Sequence, residues 1–293
     1  MNHTGASQVC NNSRLEPKLQ LVSVNGLDLG VWDWPGEGTP LVFAHATAFH
    51  ARLWDPVIRL LPPRKCLAVD MRGHGRSAKP EPPYRWRNFG CDLAGVVRQL
   101  GVKEAVGVGH SMGGHAMAQA ALLAPECFRA LLLIDPTIFP PEFYSQAPFD
   151  GSFTLRRKNE WRSPEEMWER FRGRPPFANW RPEALRAYCQ YGLQPENGHM
   201  VLACPPPVEA SIYAEANAPE ANLYAEIPRI AQPVTVLRAS ATRRPGVLDL
   251  SASPTAPDLA AKFQHGRDMV AEGRSHYVPM EDPELVTQAI AGL

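Results

Sequence analysis

The chain has 293 residues and balances 30 Lys plus Arg against 30 Asp plus Glu, a formal net charge of zero at pH 7. That balance, with no long like-charge block, excludes a basic surplus for nucleic acid or an anionic membrane surface. No apolar run approaches the roughly 20 residues of a membrane span, and the length suits one large α/β domain carrying an insertion, or two smaller domains.

Residues 1–18 are polar, lack the apolar core of an export signal, and are expected to form a loose tail. Leu19 to Val24 and Leu27 to Trp34 alternate in polarity around Asn25-Gly26, a hairpin signal. Pro40 to Ala44 reads as a buried strand leading into His45-Ala-Thr-Ala-Phe-His50, and Ala51 to Leu61 as a short helix stopped by Pro62-Pro63. Cys66 to Asp70 is the next strand and opens into Met71-Arg-Gly-His-Gly-Arg-Ser77; Phe89 to Leu100 has helical spacing. Ala105 to Val108 is an apolar run that ends in Gly109-His-Ser-Met-Gly113, after which Met112 to Ala124 reads as a helix. Ala130 to Ile134 is a further buried strand, closed by Asp135-Pro136. Strands alternating with helices predict a parallel sheet covered on both faces.

The alternation breaks near Thr137. From there to Ile227 the chain offers prolines, aromatics and short helical pieces, but no strand. Ser163-Pro-Glu-Glu166 starts one helix with a capping box, and Arg181-Pro-Glu183 starts another that runs through Tyr191. The segment is too long for a plain loop and is expected to be a helical insertion lying over the sheet. Alternation resumes with a strand at Pro233 to Arg238, a helix over Pro254 to Phe263, a strand at Gly266 to Ala271 and a last helix at Pro283 to Ile290. The expected division is a tail over 1–18, a core over 19–136 and 228–293, and a cap over 137–227. Cysteines at 10, 66, 91, 127, 189 and 204 lack C-x-x-C spacing and read as free thiols, which makes the cytoplasm the expected compartment.

The chemistry centres on Gly109-His-Ser-Met-Gly113. A serine on so sharp a strand-to-helix turn is forced into a strained backbone, and the residues two before and two after it have to be nearly free of side chain. Gly109 and Gly113 meet that need. Ser111 then stands at a helix N-terminus, where the Met112 amide and the helix dipole face any negative charge that forms. A serine hydroxyl needs a base. His110 and His115 are expected to pack or point away, and His74 to shape its own loop. His276 lies between the last strand and the last helix, where it can drop onto the C-terminal edge of the sheet beside Ser111.

With these stretches in place, together with Asp70-Met-Arg-Gly-His-Gly-Arg-Ser77 and Pro279-Met-Glu-Asp-Pro283, the chain resembles the α/β-hydrolase superfamily from about Leu19 to Leu293, in its capped serine esterase and epoxide hydrolase-like branch. The resemblance implies an eight-stranded, mostly parallel sheet with helices on both faces and a helical cap inserted after strand six. It also implies a second oxyanion donor after strand three. By position that donor is the amide of Thr47, although His45-Ala46 stands where such families usually carry His-Gly.

A triad needs an acid to orient His276. In most relatives it follows strand seven, but here that slot falls near Thr242 and holds no carboxylate. Asp135 at the end of strand six is the favoured candidate, in the chain order Ser–acid–His. Asp249 is the alternative, provided Arg243 to Leu248 fold inward. The expected activity is hydrolysis of a carboxylic ester on a small, apolar acyl substrate, with no metal and no organic cofactor. Lactone or C–C bond hydrolysis, or a receptor-like ligand-binding homologue, are the alternatives. No nucleic-acid or membrane partner is expected, and a homodimer is left open.

Overall fold

The computed structural model describes residues 16–241 and 249–293. In chain order the elements are β1 (Lys18–Val24), β2 (Leu27–Trp34), β3 (Leu41–Ala44), α1 (Asp55–Leu60), β4 (Cys66–Val69), α2 (Trp86–Gln99), β5 (Ala105–His110), α3 (Met112–Leu123) and β6 (Phe128–Ile134). Next come β7 (Glu160–Trp161), α4 (Pro164–Phe171), α5 (Pro182–Tyr191), β8 (Leu193–Glu196), β9 (His199–Leu202) and α6 (Pro206–Ala214). The chain closes with β10 (Val234–Ala239), β11 (Gly266–Ala271), α7 (Val278–Glu281) and α8 (Pro283–Ala291).

The main sheet has eight strands in the order β1-β2-β4-β3-β5-β6-β10-β11. Only the β1–β2 and β2–β4 pairings are antiparallel; the strands from β4 across to β11 run parallel. Successive residues divide between two cores, as the period-2 geometry of a strand requires. Val42, Ala44, Leu131 and Leu133 pack with Leu93 of α2 and Met117 of α3. Leu41, Phe43, Leu132 and Ile134 pack with Val57 and Ile58 of α1 and Val286 and Ile290 of α8. Burial on both faces explains why these strands read as unbroken apolar runs. Among the described residues no helix is long and apolar enough to cross a membrane.

Three expectations are corrected. Lys18, assigned to the tail, already belongs to β1, and Glu16 bridges to Arg52 at 2.9 Å; residues 1–15 of the expected tail, with Cys10, lie outside the described residues. The inserted segment does contain strands: β7, β9 and β8 form a small antiparallel sheet in that order. Asn197-Gly198, at φ 47° and 83°, is the hairpin turn between β8 and β9. Pro195 obscured this strand, and it is tolerated because β8 lies at the sheet's edge. Finally, Pro254 to Phe263 holds only a 3₁₀ turn at Leu259–Lys262. Pro254 and Pro257 remove two amide donors there and push the residue before each away from helical backbone.

Buried histidines tie the loops at the sheet's C-terminal edge together. His45 Nε2 accepts from the amide of Met71 at 3.0 Å, which puts the proton on Nδ1, where it reaches Ala46 O at 2.8 Å. His74 does the same in reverse, accepting from Ala48 N at 3.1 Å and donating to Arg72 O at 2.9 Å. The loop after β3 is thereby pinned to the loop after β4. Asp70, prominent in the sequence pattern, is structural too: its carboxylate accepts from Ala51 N, Arg76 N and Trp32 Nε1 at 2.7, 3.0 and 3.0 Å.

Burial holds His45, His50 and His110 down to about 3, His115 to about 4, and His74 well below its ordinary value. An unfolded histidine protonates near 6.5, so below that value the unfolded chain binds more protons and folding stability falls as pH falls. Asp55, Asp70 and Glu209, raised by burial, work in the opposite sense but are fewer. Urea unfolding should therefore show stability dropping between about pH 7 and about pH 5, by on the order of 1 kcal/mol per buried histidine. A flat or rising profile over that range contradicts the neutral, buried state of these rings.

Candidate active site

Ser111 sits where β5 turns into α3, with φ 55° and ψ −120°. A Cβ on Gly113 would stand 2.2 Å from Ala44 O, and one on Gly109 2.3 Å from Gly113 O. Neither approach leaves room for alanine, so the glycine spacing is a packing requirement. Ser111 N donates to Ile134 O at 3.0 Å and Thr137 N donates to Ser111 O at 3.1 Å, fixing the turn against the end of β6.

Three side chains meet in line. His276, on the loop between β11 and α7, places Nε2 2.9 Å from Ser111 Oγ and Nδ1 2.6 Å from Asp135 Oδ2. Asp135 follows β6 directly and adopts φ 41°. It is wholly buried, and its other oxygen accepts from Ala239 N, Ser253 Oγ and Thr255 Oγ1 at 3.0, 2.5 and 3.1 Å. Burial pushes this carboxyl up, but the bonds from His276, Ser253 and Ala239 outweigh it and hold its pKa below the ordinary value. Asp135 therefore stays ionised and fixes the His276 proton on Nδ1, leaving Nε2 to accept from Ser111.

Of the two sequence-predicted acids, Asp135 is the one bonded to His276. Asp249 accepts from Ser251 N at 2.9 Å and Ser251 Oγ at 2.5 Å and lines the cavity above. The stretch Arg243 to Leu248, with the Thr242 slot, lies outside the described residues. The loop after β10 nonetheless serves the site. Ser251 O accepts from His276 N at 2.7 Å, while Ser253 and Thr255 hold Asp135. His110 packs behind the base, donating from Nε2 to His276 O at 2.8 Å with ring centroids 5.0 Å apart. His115 is tied to Ala221 O at 2.8 Å on the far side of α3.

Thr47 follows β3, the parallel neighbour of β5, and lines the same cavity as Ser111. Its amide has no backbone acceptor among the described residues, and the Met112 amide opens α3 beside Ser111. The positive φ of this loop falls on Ala48, at 66°, not on Ala46. Ala46 therefore sits on backbone that needs no glycine.

The cavity over Ser111 encloses about 490 Å³. Thr47, Thr137 and His276 form its floor, and Phe139, Phe149, Phe153, Phe171 and Phe177 of the inserted segment are among its walls. Other aromatics of that segment, including Tyr144 and Trp180, are buried in the cores instead.

Thr137 was not foreseen as a site residue. Its Oγ1 lies 3.0 Å from Ser111 Oγ, both buried. With the serine proton directed at His276, Thr137 donates to Ser111 Oγ and fixes the direction of that oxygen. Its position directly after Asp135-Pro136 was the available clue. Thr137→Val keeps the shape and the backbone bond but loses the hydroxyl. It should lower kcat/KM about 2- to 10-fold, the scale of one neutral hydrogen bond, with an unchanged melting curve. Wild-type turnover in this variant would remove Thr137 from the site.

Comparison with known proteins bears on the family and the fold. The alpha/beta hydrolase family matches residues 41–289. The 2-(acetamidomethylene)succinate hydrolase of Mesorhizobium japonicum is 28% identical over 258 residues, covering 87% of each chain. A solved structure of E-2-(acetamidomethylene)succinate hydrolase superposes with a TM-score of 0.76 at 25% identity, covering 94% of this chain and 98% of the other. The enol-lactonase of Burkholderia xenovorans, at 20% identity, shares the fold with a TM-score of 0.69 over 93% of this chain and 98% of its own. This chain belongs to the alpha/beta hydrolase family.

Proposed function

We propose that the chain is a serine hydrolase that cleaves a carboxylic ester through an acyl-enzyme. The observation that carries this reading is the unbroken line Ser111 Oγ–His276 Nε2 and His276 Nδ1–Asp135 Oδ2, at 2.9 and 2.6 Å. His276 takes the serine proton as Oγ attacks the acyl carbon, and Asp135 stabilises the imidazolium that results. The amides of Met112 and Thr47 face the oxyanion. His276 then gives its proton to the leaving alcohol, and a water deprotonated by the same nitrogen releases the acid. The inserted segment acts as a cap that shields the reaction from bulk water.

A second reading has one observation behind it. The Mesorhizobium relative is named for 2-(acetamidomethylene)succinate, which is not an ester. The acetamido group in that name is an amide, which favours the same serine chemistry on another acyl bond; a lactone or a C–C bond are the further alternatives. A ligand-binding homologue without turnover is the remaining contrast.

A burst of nitrophenol from a short-chain 4-nitrophenyl ester, with stoichiometric fluorophosphonate labelling lost in Ser111→Ala, is the expected result. Labelling that persists on another residue would sink the assignment, and tight ligand binding with no turnover of any acyl compound would favour the receptor reading. Asp135→Asn should fold normally and lose turnover on the scale of ~10⁴, as the equivalent change does in serine proteases. Asp249→Asn should cost far less, and the reverse ranking would reassign the acid.

A further inference from the structure

The cavity over Ser111 is richer in positive charge than hydrolysis of a neutral ester requires. Four cations line it, Arg156, Arg157, Lys158 and Arg170, against two carboxylates, Glu209 and Asp249. The chain as a whole carries no net charge, so this surplus is local. Lys158 is engaged with Glu166 at 2.5 Å and lies 4.5 Å from the Trp161 ring. Arg156 and Arg170 form no salt bridge among the described residues and are exposed.

Arg157 differs from its neighbours. Its side chain is 27% exposed, it pairs with Glu209, whose side chain is 5% exposed, and its Nη2 donates to Tyr188 Oη at 3.0 Å. An ion pair set into a wall rich in aromatic rings is a poor device for stability, since desolvating two charges offsets most of their attraction. What it does achieve is orientation. Glu209 and Tyr188 take one N–H each, and of the guanidinium's five donors three have no partner among the described residues. The side chain is held at the cavity wall with donors to spare and with the fork geometry that matches a carboxylate.

We propose that Arg157 binds a carboxylate of the substrate, with Arg156 and Arg170 drawing the anion toward the cavity. The substrate class is then an acid that carries its scissile acyl bond within the same cavity's span of a free carboxylate. Glu209 orients Arg157 and offsets one positive charge, so the surplus that attracts the anion comes from the whole group. This inference rests on the serine-hydrolase reading for its reaction but not for its binding claim.

The test compares mono-4-nitrophenyl glutarate with neutral 4-nitrophenyl 5-methylhexanoate, in which an isopropyl group replaces the carboxylate. The wild-type chain should prefer the anionic ester in kcat/KM by about tenfold or more, the scale of a charge-assisted pair. Added salt should erode the rate on that ester more than on the neutral one. Ser111→Ala, in which the nucleophile is absent, should bind the intact anionic ester more tightly by a comparable factor in calorimetry. Arg157→Met combined with Glu209→Gln leaves no unpaired buried charge, and in it the preference should collapse. Arg157→Lys keeps the charge and the pairing while losing the fork, and it should lower the preference even if the double variant does not fold. Equal binding of the two esters by Ser111→Ala overturns the proposal, as does a preference that survives intact in either Arg157 variant. If neither ester is turned over while Ser111→Ala keeps its preference for the anion, the ester reading fails and the carboxylate site stands.

Discussion

With the oxygens of Ala44 and Gly113 standing 2.2 and 2.3 Å from where a Cβ would sit on Gly113 and Gly109, the turn between β5 and α3 is closed against its own sheet. That closeness brings the ends of β3, β5 and β6 together at one point. The amides behind β3, the serine after β5 and the acid after β6 become neighbours because three adjacent parallel strands end side by side. Ser111 accepts a strained backbone there, and the bonds from its amide to Ile134 and from Thr137 to its carbonyl hold it.

The second demand is electrostatic. A wholly buried carboxylate is costly unless each oxygen is bonded, and Asp135 meets that condition with His276 on one oxygen and three donors on the other. Two of those donors are hydroxyls on the loop after β10. The loop after β10 thus solvates a charge placed one strand away, at the end of β6.

Much of this was legible in the sequence because it is local. Gly109 and Gly113 mark the turn, the apolar runs mark strands buried on both faces, and Asn25-Gly26 marks a hairpin. Asp135 and His276 could be proposed from their places at strand ends. What stayed hidden depends on contacts distant in sequence. Ser253 and Thr255, one just before and one inside a stretch that reads as helix, show no link to a site until Asp135, more than a hundred positions earlier, is set beside them. Arg157 lies in the run Arg156-Arg157-Lys158, which in sequence marks no site, until the fold sets it against Glu209. The strands β8 and β9 were missed for a different reason: Pro195 masked them, although Asn197-Gly198 carried the same turn signal as Asn25-Gly26.

The inserted segment leaves the core through Asp135, Pro136 and Thr137, and Ala256 N then takes hold of Ile138 O at 3.0 Å. Its first residues therefore bond directly to His276 and Ser111, and its next anchor is the loop after β10. A chimaera that exchanged this segment for another would have a natural splice point after Ile138, never at the end of β6. Divergence over the cavity walls is free to proceed from Phe139 onward, while the three residues at the root are bound to the chemistry below. The lineage of such a chain can remodel what it binds far more readily than how it reacts.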